Sequence, residues 1–580
     1  MKEAAVGLYG QRLLLICALL AACGSESAVE PADLVLRGGV VATVNASGDM
    51  AEAVAVDDGW IVAVGTDDDI DAYVGPDTRV IDLDGRLAVP GFIEGHGHYM
   101  DLGNAKTILD LTEARSWEEI VAMVSDAVEG ARPGEWIRGR GWHQEKWDRP
   151  PEPAVDGNPV HAGLSQVSPD NPVLLTHASG HAALANALAL ELGGFGPDSE
   201  PPPGGELVRD ASGALTGLLR ETAQGPVDEA FSASEEGRSA AEREEQFRTE
   251  VRLAGEEALS KGITSFHDAG TGFATIDGFK RLEEEGALPV RLYVMVQGAS
   301  NEEMDARLAD YYMPFEGNDF LTVRSIKRQI DGALGSHGAW LLEPYADMPR
   351  STGLVLEPVE DVTGTAHVAI KHGFQVNTHA IGDRANREVL DIYQAVFDSA
   401  GVLSGGTPPD LRWRIEHAQH VHPDDVVRFR DLGVIASMQS IHATSDAPWV
   451  YRRLGDERAQ SGAYLWRSFM DAGVVVTNGT DVPVEDISPL AGFYAAVVRQ
   501  DIDGNPFFPA QRMTRMEALR SYTINNAYAA FEDEYKGSLE VGKVGDITVL
   551  DRNILSVSEA ELPSTSVDLT IVAGEVRYER

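Results

Sequence analysis

Cysteine is almost missing from this chain: 580 residues hold two, Cys17 and Cys23. A disulfide framework is therefore excluded as a source of stability, and a folded chain of this length needs none. Basic charge is also scarce. Asp and Glu outnumber Lys and Arg 92 to 47, a formal charge of −45. That field repels phosphate backbones and anionic lipid surfaces, which removes nucleic acid from the expected partners. The carboxylates are spread along the chain, so they read as a hydrated surface rather than an acidic tail. No membrane-spanning helix is read at the N-terminus either, because the apolar run from Leu13 to Ala22 is too short to cross a bilayer. What remains is 43% hydrophobic and 24% charged, the proportions of a globular protein.

The N-terminal run is flanked by Lys2 and Arg12 and ends Leu20-Ala21-Ala22-Cys23-Gly24. A small-residue site followed at once by cysteine resembles the lipobox of bacterial lipoproteins. The resemblance implies a signal peptide over 1–22, acylation of Cys23 and a tether over 23–32. The mature chain would then be a membrane-anchored lipoprotein facing the periplasm or cell exterior. A plain secretory signal is the alternative.

From Asp33 to Arg86, short runs of Val, Ile and Leu alternate with Gly and Asp-Asp-Gly turns, and residues 536–580 have the same texture. The two ends are expected to meet in one β-sandwich, 33–86 with 536–580. Between them lie eight apolar runs: Leu87 to Ile93, broken by Pro90-Gly91, then Gly262 to Gly270, Pro289 to Val296, Leu321 to Gly332, Phe374 to Asp383, Arg412 to Gln419, Val434 to Gln439 and Val474 to Asp481. Helix-like stretches such as Glu242 to Lys261 and Val359 to His372 precede them. Eight β/α units predict an α/β fold of the TIM-barrel type, 87–110 with 239–535. The long interval after strand 1, 111–238, reads as an insertion domain folded over the barrel mouth.

Polar residues fall where each run ends: His96 and His98, Lys327, His379, His417 and Asp481. Imidazole nitrogen and carboxylate oxygen are the donors that zinc-like ions take. In RIEHAQ, strand alternation places Glu416 and His417 on opposite faces. No role is assigned to His337, His442 or Glu485.

The order HGH, SIKRQIDG, THAIGD, RIEHAQ and NGTD, with β-rich ends and GSLEVGKVGDITVLD, resembles the amidohydrolase superfamily, and within it the YtcJ-like amidohydrolases. Gly141-Trp142, the segment from Gly180-His181 to Asn186, and SFHDAG add to the match. Two positions depart from the pattern: Thr480 stands where serine is expected, and Glu94-Gly95 where an acidic residue and serine are expected. The resemblance implies His96, His98 and Asp481 on one divalent ion, Zn2+ by expectation, and His379 and His417 on a second. Carbamylated Lys327 would bridge them. It further implies hydrolysis of an amide-like C–N bond in an N-acyl or N-formyl amine by a metal-bound hydroxide. Asp481 would carry the proton, and His181 and Trp142 would contact a small-molecule substrate. An ester, lactone or cyclic amide as substrate stays open, as does a surface lipoprotein that binds without turnover. The sequence does not set the oligomeric state.

Overall fold

The computed structural model describes residues 29–403 and 410–580. The leader and Cys23 lie outside the described residues, as does most of the tether. Eight parallel strands form one sheet in sequence order: β1 Phe92–Gly97, β2 Ile263–Thr271, β3 Arg291–Val296, β4 Leu321–Gln329, β5 Gln375–Ala380, β6 Arg414–His417, β7 Ile435–Met438 and β8 Val476–Asn478. Several, such as β1, β3 and β5, are buried along their whole length, as parallel strands covered on both faces must be. The sheet curls until its edges meet. Asp481, just past β8, donates its N–H to the carbonyl of His96 at 2.7 Å, and His98 donates to Val482 at 2.7 Å. The result is a nearly closed, TIM-like barrel whose seam runs through the candidate ligands.

Local sequence explains the crossovers. The helix Ala240–Ser260 starts at a capping box in which Ser239 accepts from the Glu242 N–H. The helix Val359–His372 stops at Gly373, whose φ of +74° suits glycine, and β5 begins two residues later.

The run expected as one strand from Leu87 to Ile93 is two. Leu87–Pro90 pairs with Val40–Ala42 and Ile547–Leu550, and only Phe92–Gly97 enters the barrel. Gly91 makes the transfer between sheets, because a Cβ there would lie 2.2 Å from the Thr264 hydroxyl. Both chain ends share that outer sheet, ordered Glu575–Glu579, Val567–Val572, Ile547–Leu550, Leu87–Pro90, Val40–Ala42, Met50–Ala51. Its apolar face shares a core with a four-stranded sheet, in which Leu36 and Val56 meet Val549 and Ile571. Arg291 of β3 ties this layer to the barrel through a buried ion pair with Asp546 at 2.8 Å.

Residues between β1 and β2 build a six-stranded sheet of their own, with Ile137–Trp142 and Val173–His177 parallel at its centre. The helix Trp117–Gly130 covers it, burying Trp117, Ile120 and Val124 against Val173 and Leu175.

Candidate metal centre

The barrel brings the strand-end residues to one place. His96, His417 and Asp481 each offer one donor atom, and these atoms lie within 4.8 Å of one another. His98 Nε2 is 3.2 Å from Asp481 Oδ1, and the His379 ring packs 4.4 Å from that of His417. Lys327 Nζ is buried 3.5 Å from His96 Nε2 and donates to the Ala269 carbonyl at 3.3 Å. All six expected residues therefore converge, although the tightest group pairs His417 with His96 and Asp481.

The tautomers are fixed from behind. His96 Nδ1 donates to the Glu416 carboxylate at 2.6 Å, and His417 Nδ1 donates to the Gln439 amide oxygen at 2.7 Å. Each Nε2 is thereby left unprotonated, with its lone pair toward the cluster, that of His96 facing Lys327 Nζ. Burial pushes the pKa of His96 down, and those of His379 and His417 well down, so the rings stay neutral as ligands require. His379 Nε2 is buried with no hydrogen-bond partner, and Asp481 Oδ1 has none of good geometry although His98 Nε2 is 3.2 Å away, as suits donor atoms kept for an ion. Nitrogen and carboxylate donors of this kind fit a zinc-like divalent cation.

Glu416 and His417 do not face opposite ways. His417 has a φ of +74°, which breaks the strand alternation and turns its ring toward His96, whose centroid is 4.7 Å away. Glu416 thereby serves the same site. Asp481 also sits at positive φ, +59°, where the chain leaves β8.

Three supports escaped the sequence reading. Glu94, fully buried, accepts from the Thr480 N–H at 2.6 Å, the Thr480 hydroxyl at 3.0 Å and the His96 N–H at 3.3 Å. Burial raises its pKa to about 8 against the pull of these bonds. Thr480, which stands where the family pattern has serine, is thus the partner of Glu94 across the barrel seam. Asp331 accepts from the N–H groups of Trp340, Ile381 and Gly382 and lies 3.5 Å from His379 Nε2, fixing the turn after β5. His442 lies 3.6 Å from Asp481 Oδ2 and 3.7 Å from Glu485. Burial opposes its charge, but the two carboxylates raise its pKa to about 10.

From the insertion, His181 enters the site with its ring 5.5 Å from that of His379. Its Nδ1 donates to Glu221 at 2.7 Å, and although burial disfavours the imidazolium, Glu221 raises its pKa overall. Glu221 lies where Cβ atoms on Gly332 and Gly338 would come within 2.3 and 2.4 Å of its carboxylate. Trp142 does not reach the site. Its side chain has 0% exposure, its N–H donates to the Leu175 carbonyl at 2.8 Å, and its ring stacks on Trp147. A ring with both faces packed in the insertion core offers none to a substrate.

A parallel barrel carrying histidines, a lysine and an aspartate at its C-terminal rim defines the class of metal-dependent barrel hydrolases. Comparison with known proteins places the chain within that class. The amidohydrolase family model matches residues 79–578, and the chain belongs to that family. It is 30% identical to the N-substituted formamide deformylase of Arthrobacter pascens, over 94% of this chain and 98% of that protein. It is 27% identical to the YtcJ amidohydrolase of Bacillus subtilis, over 94% and 99%. A solved metal-dependent hydrolase of Pyrococcus horikoshii superposes with a TM-score of 0.71 at 25% identity, covering 91% of this chain and 99% of that one.

Proposed function

We propose that this protein hydrolyses an amide-like C–N bond in an N-acyl or N-formyl amine. The observation that carries the reading is Asp481: a buried carboxylate grouped with the neutral rings of His96 and His417 at the mouth of the barrel, its Oδ1 3.2 Å from His98 Nε2. In this reading His96, His98 and Asp481 would hold one divalent ion and His379 and His417 a second, with Lys327, as its carbamate, supplying anionic oxygen donors to both. Zinc suits these donors. Bound metal supplies Lewis acidity and lowers the pKa of water to about 7.

The chain's own residues do the rest. Asp481 accepts the proton of the attacking water and returns it to the departing nitrogen. His181, oriented by Glu221, donates to the substrate carbonyl oxygen. His442 and Glu94 hold Asp481 and its neighbour Thr480 from two sides. The sheets built from both chain ends act as a flanking sandwich, and 111–238 act as a lid that excludes water. The formamide deformylase relative supports the choice of an N-formyl or N-acyl amine. The LAACG segment supports export and anchoring through Cys23. Labelled palmitate should enter the wild type and not Cys23→Ala.

The test of the activity is turnover of a panel of N-substituted formamides, acetamides and matched esters by the zinc-loaded soluble domain. Hydrolysis of amides, lost by about 100-fold or more in Asp481→Asn, is the expected result. Turnover of esters alone, or undiminished amide turnover in Asp481→Asn, refutes it.

A further inference from the structure

Beside the metal cluster, between the insertion and the barrel, lies a cavity of about 440 Å³. Glu221 and Gly180 line it, so its wall is one side chain from His181 and the ligand histidines. Arg138 and Arg140 also line it. They are two apart on the strand Ile137–Trp142 and share one face, while Gly139 packs the other way against Leu109, Leu111 and Leu175.

Arg140 is half-buried and lacks a counter-ion. Its guanidinium donates to two backbone carbonyls, of Pro483 at 3.4 Å and Ala178 at 3.2 Å, and makes no ion pair among the described residues. Asp101 and Asp481 act on it only at longer range, and in a chain with 92 acidic and 47 basic residues an arginine partly withdrawn from water with no carboxylate in direct contact is unusual. Arg138 is different: its charge rests over the Phe231 ring at 4.5 Å, and Asp228 offsets it. Asp101 and Asp228 line the cavity as well, but both are exposed to solvent. Arg140 is the cation turned toward the ligands, since Pro483 is two residues past Asp481. A guanidinium fork with free donors matches a carboxylate in two-point contact.

We propose that Arg140 binds a carboxylate of the substrate, which makes the substrate an N-acyl or N-formyl amino acid or a similar amide with an acid group close to the scissile bond. This rests on the amide reading given above. With the carboxylate on Arg140, the amide carbonyl extends past Glu221 toward His181 and the metal ligands.

The test compares N-formylphenylalanine with N-formyl-2-phenylethylamine, which differs only in lacking the carboxylate, on the zinc-loaded wild type, Arg140→Gln and Arg140→Lys. The wild type should prefer the acid in kcat/KM by about 10- to 100-fold. Arg140→Gln should abolish that ratio and Arg140→Lys should restore part of it. An unchanged ratio in Arg140→Gln, or no preference in the wild type, overturns the proposal. Calorimetry with 3-phenylpropionate, which has the acid group and no amide, decides the matter separately. Binding should weaken at least about 10-fold in Arg140→Gln at unchanged melting temperature, and equal affinity, or no binding by the wild type, overturns the proposal. If neither formamide is turned over, the amide reading fails while the calorimetry still judges Arg140.

Discussion

Replacing Glu94 by alanine should damage both the fold and the site, whereas glutamine should be nearly harmless. The carboxylate of Glu94 is buried and takes three donors: the Thr480 N–H, the Thr480 hydroxyl and the His96 N–H. Alanine strips all three of their acceptor inside the barrel seam. At about 1–3 kcal/mol for each stranded buried donor, and with some relief from entering water, the loss is about 3–6 kcal/mol. That is a large part of the 5–15 kcal/mol, roughly, that stabilises an ordinary domain. Because His96 is a candidate ligand and Thr480 precedes Asp481, metal content and kcat should fall with stability. Glutamine keeps a carbonyl oxygen for the two N–H donors, and its amide can donate to the Thr480 hydroxyl, so its penalty should stay within about 1 kcal/mol. Urea unfolding followed by circular dichroism, with metal content and kcat/KM on the same samples, reads all of this. Alanine and glutamine variants of equal stability would refute the reasoning.

Glu221→Gln keeps the hydrogen bond to His181 but removes the charge behind it; kcat should drop about 10-fold with metal content unchanged, and loss of metal instead would make Glu221 a support of the ligands. Trp142→Phe removes the bond to the Leu175 carbonyl and should lower stability by about 1–3 kcal/mol with KM steady within about twofold; a large KM change would restore Trp142 as a substrate contact. Burial lowers the pKa of His420 from 6.5 to about 3, with neither ring nitrogen bonded. The unfolded chain therefore binds the extra proton between those values, so this residue costs no stability above pH 6.5 and progressively more as pH falls toward 3. In His420→Phe, urea midpoints should decline less steeply over that range, and an identical decline would contradict the assignment.

The barrel was legible because each strand is a short apolar run ending in a polar residue, a pattern local enough to read from one sequence. The convergence of His96, His98, Lys327, His379, His417 and Asp481 was legible in the same way, since each stands at or beside a strand end. Their supports were not. Glu94 meets Thr480 across 386 positions and Glu416 meets His96 across 320, and no local pattern encodes such a pairing. The alternation rule misplaced Glu416 because it assumes extended backbone, and His417 at positive φ departs from it. Trp142 was misjudged for a related reason: a tryptophan in a Gly-rich run gives no local sign of which side it packs on. The break at Gly91 shows the reverse case, since Pro90-Gly91 was visible, yet the transfer between two sheets depends on Thr264 and on strands more than 400 residues away.

Elemental mass spectrometry of the soluble domain purified without chelator tests the proposed two-ion centre most directly. Close to two divalent ions per chain are expected, falling to one or fewer in Lys327→Ala. One ion in the wild type that does not rise on incubation with zinc and bicarbonate would contradict it.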